Sequence, residues 1–413
     1  MMDKMIPVIE EQIADKIKKV QEVSLYNTSK VIRAFQQYRV SDSHFIPTTG
    51  YGYDDSGRDT LEKVYAAVFG AEAGLVRPQI ISGTHAISTC LFGILRPNDE
   101  LLYITGNPYD TLEEIVGIRG NGVGSLKEFG ISYKAVPLQN NTIDYETIAK
   151  AIKPHTKMIG IQRSRGYHNR PSFTIVEIAE MIRFVKTINS ELIVFVDNCY
   201  GEFVETEEPT DVGADLMAGS LIKNPGGGLV KTGGYIVGRE SLVEQCAYRL
   251  TTPGIGAEAG ASLYSLLEMY QGFFMAPHVV GEALKGAIFT AALLEKFGFE
   301  STPRWDAERT DLVQAVNFHN RDKMVRFCQE IQYNSPINSH VTPHAAYMPG
   351  YQDDVIMAAG TFIQGASIEL TADGPLREPY TAYVQGGLTY EHVKLAVTKA
   401  VQAILQRADE GLK

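Results

Sequence analysis

The 413-residue chain carries 38 Lys+Arg against 49 Asp+Glu, a formal charge of −11, with 44% apolar side chains and 38 glycines. That balance excludes wholesale disorder and argues against nucleic acid or an anionic membrane surface as partner. The length suits a large domain with a smaller one attached.

No apolar run reaches the roughly 18 residues of a membrane span, and the acidic amino terminus does not read as a secretory signal. Four scattered cysteines, Cys90, Cys199, Cys246 and Cys328, fit the reduced thiols of a cytoplasmic protein. In chain order, Ile6, Ile9, Ile13, Ile17, Val20, Val23, Val31, Ile32 and Phe35 recur at three- and four-residue spacing and predict a long amphipathic helix. The polar, aromatic stretch 44–60 follows, too long for a passive linker. Apolar runs at 75–81, 100–105, 132–136, 158–162, 192–196 and 235–237 then predict strands, alternating with helices at 84–95, 145–152 and 175–188. That alternation defines an α/β domain with a mostly parallel sheet. Helices at 260–270 and 279–297 lead to a smaller α+β unit, with strands at 313–318, 355–359, 367–371 and 382–385 and a closing helix at 390–405. The chain divides accordingly into a helical arm and loop (1–60), a large domain (61–285) and a small C-terminal domain (286–413).

In such sheets ligands bind at the carboxyl ends of the strands, so the residues there matter most. After the first strand, Ser82-Gly83-Thr84-His85 opens a helix, a small-residue turn suited to an anion or to a simple cap. Tyr109 follows the second strand and can stack on a planar ring. Asp197 ends the apolar run LIVFV, where a carboxylate is costly without a cationic partner. Finally Ser220-Leu221-Ile222-Lys223 precedes Gly226-Gly227-Gly228; the apolar pair draws Lys223 inward, where desolvation is expected to lower its pKa. Anion site, stacking ring, carboxylate and lysine together suit one ligand, pyridoxal phosphate.

The runs YGYDDSGRDTLE, SGTHAI, VDNCYGEF, GSLIKNPGGG and TTPGIGAEAG resemble fold-type I pyridoxal-phosphate enzymes of the cysteine/methionine-metabolism group. The similarity is to the branch known as methionine γ-lyase-like or aluminium-resistance proteins and covers nearly the whole chain. The resemblance implies a three-layer α/β/α transferase fold with the cofactor covalently on Lys223 and Asp197 at its pyridinium nitrogen. It further implies Gly83, Thr84 and His85, beside Ser82, at the phosphate, Tyr109 stacked on the ring and Ser220 on the phosphate side. Tyr51 and Tyr53 resemble a loop that reaches a neighbouring subunit's phosphate, implying a homodimer or homotetramer with shared active sites. Arg377 is the candidate for the substrate carboxylate, and Arg165, with Arg163 in the loop QRSRGY, stands as another cofactor or carboxylate contact. The activity implied is a β- or γ-elimination from a sulfur-containing amino acid such as cystathionine or methionine. Aldol cleavage, transamination, or a catalytically weak stress- or metal-resistance protein are the alternatives.

Other motifs are weaker. Ser220-x-x-Lys223 with Lys231-Thr232-Gly233 copies part of a serine β-lactamase set without its SDN element. Gly254–Ala259 fits GxGxxA but follows no apolar strand, and Pro343 between His340 and His344 prevents a helical metal pair, so no metal site is expected.

Overall fold

A computed structural model of the chain describes residues 2–348, 351 and 353–410. Residues 1 and 411–413, at the outer ends of the two terminal segments, lie outside the described residues. Seven strands form the large sheet: β1 (Ala73–Arg77), β2 (Glu100–Tyr103), β3 (Ser132–Ala135), β4 (Thr156–Gln162), β5 (Ile193–Asp197), β6 (Leu216–Ser220) and β7 (Gly234–Gly238). Their order is β1-β7-β6-β5-β4-β2-β3, and β7 alone runs against the others, pairing antiparallel with β1 and β6.

β5, β6 and β7 are buried at every residue, as strands covered on both faces must be. Alternate side chains therefore enter different cores. Phe195, Leu216, Ala218 and Ile236 pack with the helices Gly83–Ile94 and Glu240–Leu250. On the opposite face Val194 and Val196 meet the helix Ile175–Ile188, while Met217 and Tyr235 meet the helix Leu266–Lys296. Each such large apolar side chain contributes about 1.5–3 kcal/mol by leaving water. The product is a three-layer α/β/α sandwich, the fold the resemblance implies, built on the mostly parallel sheet expected from the alternating pattern.

The smaller sheet contains β8 (Glu300–Thr302), β9 (Gln314–Asn317), β10 (Val355–Ala358), β11 (Thr371–Pro375) and β12 (Thr381–Gln385), all antiparallel, in the order β10-β11-β12-β9-β8. The helices Arg321–Tyr333 and Tyr390–Glu410 cover it. The helix Met2–Gln37 lies along Leu266–Lys296. Its Ile9 and Ile13 join Phe289 and Leu293 in the small-sheet core, and its Val31 and Ala34 join Val280 and Leu284 in the large-sheet core. Leu266–Lys296 thus runs unbroken through position 285 and serves both cores.

Several elements depart from the pattern-based boundaries. The first strand ends at Arg77, because Pro78 offers no amide and the Ile80 amide turns back to the Arg77 carbonyl. β6 has no alternation and three small residues, so its sequence (LMAGS) does not announce a strand; its neighbours impose it. The helices expected at 260–270 and 279–297 are one helix that begins at Leu266 and carries Pro277 inside it. The strand expected at 367–371 is instead β11, which starts where that run ends. Among the described residues no helix is long and apolar enough to cross a membrane. All four cysteines are buried and unpaired.

Candidate active site

β4, β5 and β6 are adjacent and parallel, and they end on Gln162, Asp197 and Ser220. The chain beyond them walls a cavity whose lining includes Thr84, Tyr109, Gln162, Asp197, Tyr200 and Lys223. Four residues singled out from sequence therefore meet at one place, although 139 positions separate Thr84 from Lys223 (223 − 84).

The lysine is presented by a tight loop. Leu221 is buried in the core and its amide donates to the Gly233 carbonyl, after which Asn224–Gly226 makes a single 3-10 turn. At Gly226 a side-chain carbon would lie 1.7 Å from the Leu221 carbonyl oxygen, so only glycine closes this turn. Lys223 extends its Nζ over the ring of Tyr200, 3.9 Å from the centroid. Burial alone would lower the lysine pKa, as the sequence suggested. The structure corrects that expectation: Cys199, Tyr200, Asp197 and Glu202 around the ammonium outweigh burial and hold the pKa above the ordinary lysine value.

Asp197 is buried at the end of β5, and its Oδ1 accepts the Cys199 amide at 3.1 Å. Burial raises its carboxyl above the usual range, against the opposing pull of Lys223 and the Cys199 amide. Lys223 and Asp197 thus face one cavity, each modified by the other.

The helix Gly83–Ile94 begins directly against the end of β6. A side-chain carbon on Gly83 would come within 3.1 Å of Cys199 Sγ and 3.2 Å of Ser220 Cβ, so the helix start sits tightly against the strand end. A helix start directs free amides and the positive end of its dipole outward. Thr84 adds a hydroxyl, 3.0 Å from that of Thr111. Ser82 and His85 build the turn: Ser82 Oγ accepts the His85 amide at 3.0 Å, and His85 Nδ1 accepts the Ile81 amide at 3.2 Å. Burial, then Arg249, keeps the His85 pKa below its ordinary value.

The remaining candidates lie elsewhere. Tyr51 and Tyr53 stack on each other (centroids 5.4 Å apart) and are 73% and 53% exposed. Their loop is tied down by Arg58, whose Nη1 donates to the carbonyls of Gly52 and Gly260. Arg377 pairs with Asp353 at 3.0 Å in an outer cleft that adjoins the cavity through the segments 109–113 and 162–168. Arg165 is buried and donates to the Thr302 carbonyl at 3.2 Å, and its Nε has no hydrogen-bond partner among the described residues. Arg163 spends its guanidinium on Glu205, Glu208, Asn198 and Thr310, which makes it part of the buried frame.

Sequence reasoning missed Tyr200, which forms the platform for Lys223 with φ 74°, and Glu202. Proximity to Asp197 was the sole available signal for both. Glu202 is fully buried: Oε1 accepts the Tyr235 hydroxyl at 2.7 Å, while Oε2 has no partner among the described residues. Burial, opposed by the Tyr235 bond and Lys223, pushes its pKa up to about 8 from 4.5. The folded state therefore holds a proton that the unfolded state releases, and this contribution to stability is lost as pH rises from about 4.5 to about 8. Glu202→Gln is expected to flatten the decline of Tm between those pH values; melting curves of equal steepness against pH for variant and wild type would contradict the assignment.

This fold is that of the fold-type I pyridoxal-phosphate enzymes. The pyridoxal-5'-phosphate-dependent protein YhfS of Escherichia coli superposes with a TM-score of 0.61 over 94% of this chain and 97% of its own, at 17% identity. The methionine gamma-lyase family profile matches residues 2–405, and the chain belongs to that family of pyridoxal-phosphate-dependent carbon–sulfur lyases. Its relatives include YnbB of Bacillus subtilis strain 168, 69% identical over 401 residues, which are 97% of this chain and 95% of YnbB. A crystal structure of a candidate cystathionine beta-lyase involved in aluminum resistance, from Listeria monocytogenes, matches with a TM-score of 0.96 and 70% identity over 97% of this chain and 100% of that one.

Proposed function

We propose that the protein expels a thiol from a sulfur-containing L-amino acid such as cystathionine or methionine by β- or γ-elimination, leaving an α-keto acid and ammonia. The observation that carries this reading is the convergence of a lysine amine, a buried carboxyl and a helix start on one cavity. The donor set fits pyridoxal phosphate. Gly83, Thr84 and Ser220 frame an anion cradle with little room at position 83, and Lys223 offers a primary amine for the aldehyde. Asp197 offers a carboxylate for the pyridinium nitrogen, and Tyr109 a ring for stacking. The bound cofactor supplies an electron sink that lets the α C–H bond ionise.

The chain's own residues do the rest. With the cofactor bound, Lys223 Nζ would take the substrate's α-proton, and its acidic surroundings favour keeping that proton. Asp197, buried at the end of β5, would hold a proton on the cofactor's ring nitrogen. Arg377, from the small domain (286–413), and the buried Arg165, from the large domain (61–285), are the cations offered for the substrate carboxylate. Tyr51 and Tyr53, exposed on a pinned loop, suit contact with the phosphate site of a second subunit in a homodimer or homotetramer. A cytoplasmic location agrees with four unpaired thiols.

The test is an absorbance scan of purified protein with pyridoxal phosphate and L-cystathionine, L-methionine or L-cysteine, paired with keto-acid and thiol assays. Keto acid and thiol in equal amounts support the reading; an unchanged spectrum with no keto acid from any of the three overturns it.

A further inference from the structure

Tyr109 lines the inner cavity with Lys223, whereas Tyr351 lines the outer cleft with Asp110, His168 and Arg377. Their hydroxyl oxygens are 2.5 Å apart, and the rings meet edge-on at 79° with centroids 6.4 Å apart. The contact joins a residue just past β2 of the large sheet to one just ahead of β10 of the small sheet. Neighbouring rings hold the pair in place. Tyr351 packs on Tyr167 at 5.5 Å and Tyr167 on Tyr383 at 5.0 Å, while the Tyr167 hydroxyl bonds to Asp373, itself held by Gln385 at 3.0 Å. Burial raises both phenols above their ordinary pKa of 10, so each carries its proton at neutral pH.

Elimination needs a proton at the departing atom. As the C–S bond breaks, its electron pair leaves with sulfur, and an alkyl thiolate is costly beside buried groups such as Asp197. We propose that Tyr109 and Tyr351 form a proton relay from the outer cleft to the leaving sulfur, in which Tyr351 is a positioning residue that acts through Tyr109. The Tyr109 O–H bond breaks as the S–H bond forms. The Tyr109 oxygen then takes the proton of Tyr351, which regains one from water in the outer cleft. The proton delivered to sulfur balances the α-proton taken up at Lys223. This step rests on the elimination proposed above.

Tyr351→Phe keeps the ring and removes only the hydroxyl. The holoenzyme is assayed on S-ethyl-L-cysteine, whose thiolate needs a proton, and on β-chloro-L-alanine, whose chloride needs none. The ratio of kcat values, thioether over chloride, is expected to fall at least about tenfold in Tyr351→Phe. Tyr109→Phe should lower the ratio by as much or more, and the double variant should go no lower than Tyr109→Phe, because the two act in series. A merely structural role slows both substrates together; an unchanged ratio overturns the relay. A readout independent of turnover is the 13Cζ spectrum of tyrosine-labelled protein. The Tyr109 resonance, identified by its loss in Tyr109→Phe, should shift in Tyr351→Phe, and an unmoved resonance overturns the pair. Wild-type protein that eliminates neither substrate overturns the elimination and the relay together; one that eliminates both at a ratio indifferent to Tyr351 overturns the relay alone.

Discussion

Lys223→Ala is expected to abolish the yellow, borohydride-reducible adduct with pyridoxal phosphate and to cut elimination by about 10²–10⁴-fold or more. Lys223 is the amine that lines the cavity among the described residues, and its loop is built so tightly around Gly226 that no neighbour can take its place. Lys231, eight positions on (231 − 223), is exposed and spends its ammonium on Glu268. The variant should fold, since the side chain contributes charge to the cavity and little to the core. Losing the ammonium also removes the cation that opposes burial at Asp197 and Glu202, so both carboxyls should move further up. Absorbance before and after borohydride, followed by peptide mass analysis, reads the result. A reducible adduct that persists in the variant would falsify the assignment.

Asp197→Ala should retain part of the cofactor while turnover drops by roughly 10²–10³-fold, the scale of losing one pre-organised electrostatic partner. The anion cradle at Gly83 and Ser220 and the amine of Lys223 remain, which is why binding survives in part. The carboxylate is what disappears, and with it the group that favours a protonated ring nitrogen. Asp197→Asn separates charge from shape, because the amide oxygen can still accept from the Cys199 amide. It should bind cofactor better than the alanine variant yet be comparably slow. Wild-type kcat in either variant would remove Asp197 from the mechanism.

How much of this was legible beforehand differs from residue to residue. Asp197 stood out because a carboxylate after LIVFV has no cheap explanation, and the structure buries it as that cost implies. Lys223 stood out because apolar residues precede it and glycines follow, a pattern that the tight 3-10 turn explains. Its protonation was not legible: the sign of the shift depends on four neighbours in the distant stretch 197–202, and burial alone points the wrong way. Ser82 and His85 lie within a turn whose chemistry allowed either a ligand or a cap, and the structure uses both for the turn. β6 escaped notice because a strand covered on both sides needs no alternation, and LMAGS supplies no other cue.

By itself, the sequence determined the strand–helix alternation, the glycine positions where backbone must approach closely, and the residue types that end each parallel strand. These are local properties, set by periodicity and by the steric needs of one turn. The tertiary structure alone decided which of those residues share a cavity: Thr84, Tyr109, Asp197 and Lys223 converge, while Tyr51, Tyr53 and Arg377 stand outside it. It alone paired Tyr109 with Tyr351 across 242 positions of chain, and set Glu202 behind the lysine. The physical reason is that a charge or a phenol acquires its chemistry from what surrounds it, and those surroundings are assembled from segments far apart in sequence.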